Sequence, residues 1–481
     1  MKKLIIAKRP SSLLILTVFL MFSVSCKEAL DIGPSKVSLD DKNVYTTDGG
    51  AQSVLAGLYT TMGDANGTYN GPSGVSMLLG LGSDELVNAN PSSLANATAY
   101  TNNYTANFVP NYWSSLYRHI FVCNLALKGI AESSQVSAGV KKQLLGELAF
   151  IRAFSYFNLI NLYGDVPLTT TDDYQSNRSI ARTNQAQVYQ RIIADLLDAQ
   201  SNLPDSKYVD AFGAASVDRI RPNKQVATAL LARVYLYQQD YKNAEIQASQ
   251  TIANSNYLLE KNLNQVFLRT SKEAIWQLQP TAISSPNTAD ANILIINNNS
   301  FATSGILPLS NSLMQSFENG DLRLTNWVGQ YRTTTTPATL YNFAFKYKAF
   351  GVNSATPQTE FVMLFRLAEQ YLIRAEARAR QDNLSAAMED VNAIRSRAGL
   401  TNLLATDQPT TLAIIEKERR IELFTEAGHR WLDLKRTNRL NTLMPSITAS
   451  KGGTWAAYKQ LFPIPPNDIL ANPALTQTPG Y

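Results

Sequence analysis

The sequence predicts a mainly α fold, a solenoid of about four helical pairs carrying irregular, loop-rich insertions. Three observations predict it. Apolar residues recur at mixed three- and four-residue spacing over segments of helical length. These segments come in twos, joined by short polar turns. The pairs repeat without a constant period and exceed the helices of a four-helix bundle, which implies a solenoid with insertions.

The chain opens on a basic stretch, Lys2, Lys3, Lys8 and Arg9, followed by an apolar run from Leu13 to Val24 and a small residue at Ser25. Residues 1–25 therefore read as an export signal. The run is shorter than the ~20 apolar residues that span a bilayer, and no later stretch reaches that length, so the mature chain is not expected to cross a membrane. Cys26, after Ser23, Val24 and Ser25, resembles a lipobox cysteine, with Ser23 where Leu is usual. Lipidation is expected at Cys26, and its two acyl chains would anchor the protein stably. Residues 26–38, with Gly33 and Pro34, read as a lipidated tether, and residues 39–481 as the folded body. With Cys26 acylated, Cys123 has no disulfide partner, so stability has to come from the core.

Charge excludes one class of partner. Residues 1–25 hold four of the 43 Lys and Arg, leaving 39 against 38 Asp and Glu, so no basic nucleic-acid footprint remains. The 22 Tyr, together with abundant Asn and Thr, suit stacking on and hydrogen bonding to neutral polar ligands.

Val54, Leu55 and Leu58, then Leu116, Ile120, Leu125 and Leu127, mark the first helices. The strongest segment runs from Lys141 to Tyr163, with Leu145, Ala149, Ala153, Tyr156, Ile160 and Tyr163 on one face, Gly164 as its stop and Pro167 beyond. Val188, Ile192, Leu196 and Leu197 mark a helix ended by Pro204. Residues 227–237 and 241–252 form a pair about the Gln239-Asp240 turn. The best-spaced pair sets Leu364, Leu367, Tyr371, Ala375 and Ala379 before an Asp382-Asn383 turn, then Ala387, Val391, Ile394 and Ala398 before Gly399. Small residues at Ala375 and Ala387 would let two antiparallel helices approach closely, as a tetratricopeptide-like hairpin requires. Residues 60–110 and about 255–360 lack this pattern and read as ordered functional loops, with residues 343–348 as a strand.

Several stretches, in order, resemble the SusD/RagB family: residues 147–157 (ELAFIRAFSYF), 162–168 (LYGDVPL), 232–236 (ARVYL), 366–377 (RLAEQYLIRAEA), 392–400 (NAIRSRAGL), 418–423 (ERRIEL) and 428–436 (GHRWLDLKR). The close, FPIP at 462–465, Asn472-Pro473 and QTPGY at 477–481, is also similar. The resemblance implies four tetratricopeptide-like units packed against an irregular ligand-binding part. It implies lipid anchoring in the outer membrane facing the cell surface, and a lid-like partnership with a SusC-like TonB-dependent β-barrel transporter. It also implies glycan binding, or peptide binding in the RagB branch; no residue is assigned to catalysis, to a cofactor or to a metal, and calcium binding is left open.

The charged cluster Glu418, Arg419, Arg420, Glu422, Glu426, His429, Arg430 and Asp433 invites a metal reading, since Glu422, Glu426 and His429 share a helical face. With two histidines in the chain, a salt-bridge ladder tying this helix to its neighbours is the better reading. No carboxylate pair is marked for glycoside hydrolysis, and no nucleophile elbow or phosphate loop is present. Cys123, Trp113 and Trp431 read as core. Ligand contact is expected from loop aromatics and amides: Tyr69, Asn70, Tyr100, Asn102, Asn103 and Tyr104 in the first insertion, and Trp327, Tyr331, Tyr341 and Asn342 in the second. A hydrolase and a purely structural assembly protein remain as alternatives, distinguished by ligand cleavage and by loop aromatics that can be lost without effect.

Overall fold

The computed structural model describes residues 44–89, 93–107, 109–282, 286–298, 306–351 and 357–481. The signal, Cys26 and the tether lie outside the described residues. Tyr45–Tyr481 forms one compact unit. No helix among the described residues is long and apolar enough to cross a membrane.

Helices dominate this unit. Those of seven residues or more are α1 (Asp48–Met62), α2 (Val75–Gly82), α3 (Leu94–Tyr100), α4 (Tyr112–Glu132), α5 (Ala138–Tyr163), α6 (Gln185–Asn202), α7 (Lys224–Tyr237), α8 (Tyr241–Ile252), α9 (Leu367–Arg380), α10 (Leu384–Arg397), α11 (Gln408–Glu422), α12 (His429–Arg436) and α13 (Leu440–Ser450). From α4 to α11 each helix packs on the next in chain order, and α9 also meets α11. This is the paired array expected from the periodicity.

Local chemistry sets the joints. Gln239 at φ 58° and Asp382 at φ 61° turn the chain between α7 and α8 and between α9 and α10. Both turns are three residues long, which leaves the paired helices antiparallel. Gly164 closes α5 at φ 78°, a conformation glycine adopts without a Cβ penalty. Ala232, Ala244, Ala248, Ile373 and Ala377 fill the seam among α7, α8 and α9, and Ala375, Ala379, Ala387 and Val391 the seam between α9 and α10. Small side chains here bring the helix axes close.

α5 is the spine of the core. Its residues Gly146 to Phe157 are all buried. Phe150 and Phe154 meet the edge of Trp276 at ring separations of 4.9 and 5.3 Å. Trp276 lies on β3 (Ala274–Leu278), which pairs antiparallel with β6 (Val362–Arg366). Both strands are fully buried, so this ladder joins the second insertion to the helices. Two further hairpins complete the strands, β1 (Tyr208–Val209) with β2 (Ala215–Ser216) and β4 (Val328–Arg332) with β5 (Leu340–Ala344).

Three expectations are corrected. Leu364 belongs to β6 and not to the following helix, because the pairing with β3 holds the chain extended until Leu367. The strand expected at 343–348 covers 340–344, and beyond it Lys346 turns inward. The first insertion contains two helices. All eight residues of α2 are buried, so it has no polar face and no amphipathic period to read.

A buried charge network ties the second insertion to the last helices. The Arg366 guanidinium donates to Glu273 at 2.9 Å, Glu422 at 2.6 Å and Glu426 at 2.7 Å. Arg323 donates to Asp321 at 2.9 Å, Glu418 at 2.5 Å and Glu422 at 2.9 Å. Arg397 pairs with Glu273 and Glu422, and Lys346 with Glu426 at 2.5 Å. Burial alone would raise the Glu422 carboxyl, but Arg397, Arg366 and Arg323 outweigh it and hold the group well below the usual range. A carboxylate with a lowered folded pKa stabilises the fold above its unfolded value of ~4.3, and that contribution is lost as pH falls below it. Glu422→Ala is expected to lower the unfolding free energy by about 3–5 kcal/mol at pH 7, because it takes one shared carboxylate from three buried guanidinium groups and leaves their positive charge in excess. Urea titration should also show wild-type stability falling more steeply below pH ~4.3 than that of the variant.

Candidate functional site

The two insertions, separate in sequence, meet in space. The backbone of Val87 donates to Pro308 O at 2.8 Å and that of Ala89 to Ile306 O at 3.0 Å, while Leu86 and Leu309 form a bridge. Leu309 N donates in turn to Asn342 O at 2.8 Å, so residues 306–310 run between the first insertion and the β5 edge. A second stitch lies at Asn70, whose amide oxygen accepts from Ala289 N at 2.9 Å and whose Nδ2 donates to Gly63 O at 3.1 Å. Beside it Asp290 accepts from Gly71 N at 2.9 Å.

On this base stands the β4–β5 hairpin. Its register sets Tyr331 opposite Tyr341, Gly329 opposite Phe343 and Gln330 opposite Asn342. Alternation places Gly329, Tyr331, Tyr341 and Phe343 on one face, and Gln330, Arg332 and Asn342 on the other. Phe343 is buried, and Tyr331 and Tyr341 are half-buried toward the turn. Gly329 is required by the Phe343 ring, which a Cβ there would meet at 2.3 Å. The Tyr331 hydroxyl bonds to Asn298 Oδ1. On the reverse face Gln330 Nε2 donates to Asn342 Oδ1 at 3.1 Å.

The other expected contacts divide sharply. Tyr69, Asn70, Asn102, Tyr104 and Trp327 are buried, and the structure gives them packing roles in place of an open face. Tyr69 stacks on Phe154 at 5.1 Å. Asn102 takes φ 51° in a turn and donates to Gly82 O and Thr448 Oγ1. Tyr104 packs edge-on against Phe462 at 4.7 Å. Trp327 is 0% exposed, donates Nε1–H to Leu263 O at 2.9 Å, and carries Lys346 Nζ over its ring at 4.9 Å. Tyr100 is half-buried under Lys451 Nζ, and Asn103 is exposed. The hairpin thus brings Tyr331 and Tyr341 together on one face and turns Asn342 to the other. Asn298, at its margin, carried no sequence signal beyond an Asn-rich run.

The charged cluster serves the core. Glu422 and Glu426 are bound by Arg366, leaving no carboxylate pair free beside His429. Burial pushes the His429 imidazole down to about 4. Arg419 pairs with Asp433 at 2.8 Å, and Arg420 and Arg430 with Asp84 at 2.8 and 2.7 Å. Cys123, Trp113 and Trp431 are buried, as expected.

Residues 39–236 match a family model described as starch-binding, associating with outer membrane, and residues 184–481 match that of the SusD family. The chain belongs to the SusD family. It is 24% identical to SusD-like protein P25 of Formosa agariphila, over 97% of this chain and 98% of that one. It is 37% identical to starch-binding protein SusD of Bacteroides thetaiotaomicron over 28% of this chain and 24% of that one. Among solved structures, a SusD superfamily protein from Bacteroides vulgatus has a TM-score of 0.76 at 20% identity, covering 90% of this chain and 99% of that one. A laminarin-binding SusD-like protein has 0.73 at 23% identity, over 90% and 99%. These structures share the fold of this SusD-family chain.

Within that fold Asp290 is a buried acid with a backbone donor and, among the described residues, no cation paired with its carboxylate, and burial pushes it up to about 7. A carboxyl raised in the folded state destabilises progressively as pH rises from its unfolded value, ~3.9, to about 7. Asp290→Asn keeps the acceptor for Gly71 and removes the charge. Its melting temperature, measured by calorimetry, is expected to exceed that of wild type at pH 8 and to converge on it near pH 4.

Proposed function

We propose that this SusD-family chain binds glycan at the cell surface and passes it uncut to a TonB-dependent β-barrel transporter. Lipid on Cys26 would hold it to the outer membrane. The observation that carries the binding reading is the Tyr331–Tyr341 cross-strand pair, raised on the hairpin with Phe343 packed beneath and Asn298 at its margin. A pyranose presents an apolar C–H face that packs on tyrosine rings, and its hydroxyls find amide partners beside them. The hairpin is braced by both insertions, so the platform is set before ligand arrives, which limits the ordering cost of binding.

Relatives named for starch, laminarin and surface glycans support the ligand class. The helical pairs, read as tetratricopeptide-like units, would supply the rigid frame. Against catalysis stands the use of the clustered acids Glu418, Glu422 and Glu426 as partners of buried cations, which removes them from acid–base work.

A soluble chain beginning at Lys27 should bind at least one neutral oligo- or polysaccharide saturably in calorimetric titration and leave it uncut. Tyr331→Ala with Tyr341→Ala is expected to weaken binding by about tenfold or more, equivalent to ~1.4 kcal/mol. Binding of peptides alone would place the chain in the RagB branch, and cleaved product would establish a hydrolase. For the anchor, Cys26→Ser is expected to abolish palmitate labelling and to release the protein from the membrane fraction.

A further inference from the structure

A second aromatic pocket lies on elements that the hairpin site does not use. α4 carries Trp113, Tyr117 and Phe121 at four-residue spacing, hence on one face. Trp113 is buried, its ring 4.8 Å from that of Tyr117, while Phe121 is 44% exposed. The segment after α5 supplies Tyr174, 64% exposed, with Asn177 and Arg178, and the short helix Pro466–Ala471 supplies Asp468. Together these groups enclose a cavity of about 250 Å³. That is near the lower end of ordinary ligand pockets, ~300–1,000 Å³, and suits one ring-sized group.

The polar groups define what would fit. Tyr117 spends its hydroxyl on Pro167 O at 2.7 Å, so its ring is a wall and its donor is used. Asn177 donates Nδ2 to Thr171 O at 2.8 Å, whereas its Oδ1 is buried and has no partner among the described residues. Such an acceptor is unfavourable until something donates to it. Asp468 lies beside the Trp113 side chain in this cavity, and burial raises its carboxyl. No ion pair to Asp468 is formed among the described residues within 4.0 Å. Arg178 lines the same cavity. A cationic ligand would meet the guanidinium, and an anionic one would meet the carboxylate. A neutral ring whose hydroxyls both donate and accept satisfies both, and its C–H face matches the exposed aromatic rings.

We propose that this pocket is a second saccharide-binding site, seating one neutral hydroxylated ring against Phe121 and Tyr174 with its hydroxyls at Asn177, Arg178 and Asp468. The choice of ligand class rests in part on the glycan reading of the hairpin, whereas the site itself rests on the cavity. Two contacts on one polymer would raise retention above that of either alone, because the second binding event becomes intramolecular.

The five tryptophans make the test direct. The full chain labelled with 5-fluorotryptophan gives a fluorine resonance for Trp113, assigned from Trp113→Phe. It is titrated with glucose, galactose, mannose, and malto- and laminari-oligosaccharides. The expected result is a saturable shift of the Trp113 line with at least one sugar. Phe121→Ala combined with Tyr174→Ala, both at exposed positions, should weaken that shift about tenfold. Asp468→Asn should weaken it severalfold. A Trp113 line that no sugar moves, or that moves equally in the double variant, overturns the proposal. The heat of binding lost in the Tyr331 and Tyr341 variants reports separately on the hairpin, so either site can fail while the other stands.

Discussion

Arg366 is the constraint around which the molecule is assembled. It closes β6, opens α9, and places one guanidinium among Glu273 of the second insertion, Glu422 of α11 and Glu426 of the loop that follows. A charge taken this far from water is tolerated only if every group around it is paired in good geometry. Arg323, Arg397 and Lys346 complete the pairing, and Asp321 and Glu418 balance Arg323. The network costs desolvation on every member, so its contribution lies in specificity: the insertion docks on the last helices in one arrangement, since any other leaves buried charge unpaired.

That docking fixes the platform above it. Lys346, two residues beyond β5, donates to Glu422 O and Phe424 O at 2.8 Å, and its ammonium lies against the Trp327 ring just before β4. The base of the hairpin is thus clamped at both strands by the same charges that hold α11. Farther out, Asn70, Asp290 and the strip from 306 to 310 join the hairpin's surroundings to the first insertion. Tyr331 and Tyr341 project from this frame with little left to order. Their pairing is one of backbone register, so either tyrosine can be changed without breaking the ladder that presents the other.

The proposed role, retaining a ligand and releasing it unchanged, calls for broad, preformed contact and no activated group. The clustered acids here are bound by guanidinium groups within the core, and both histidines are buried and held low by desolvation. The aromatic positions near the surface, on the hairpin and beside α4, instead combine ring faces with amide and carboxylate partners. Such groups recognise neutral hydroxylated surfaces by stacking and hydrogen bonding.

The sequence by itself determined the helical array. The bounds of α8, the end of α7 and the turn between α9 and α10 follow from apolar spacing and from polar turns at Gln239 and Asp382, which are local properties of a 3.6-residue repeat and of the residues that interrupt it. The ordered motifs also placed the chain in its family. Tertiary structure decided the rest. Leu364 keeps helical spacing with Leu367 yet is a strand residue, since β3 lies alongside it, and α2 carries no period because every side is covered. Trp327 and Tyr331 stand four residues apart in one loop-rich stretch, and only the partners brought by distant segments, Leu263 and Lys346 for one and Asn298 for the other, make the first core and the second surface. The acidic helix shows the same division. Its spacing foretold ion pairs, but their partners, Arg323, Arg366 and Arg397, come from elsewhere in the chain. Spacing along a chain reports which residues share a face, whereas burial and pairing depend on what the fold sets against that face.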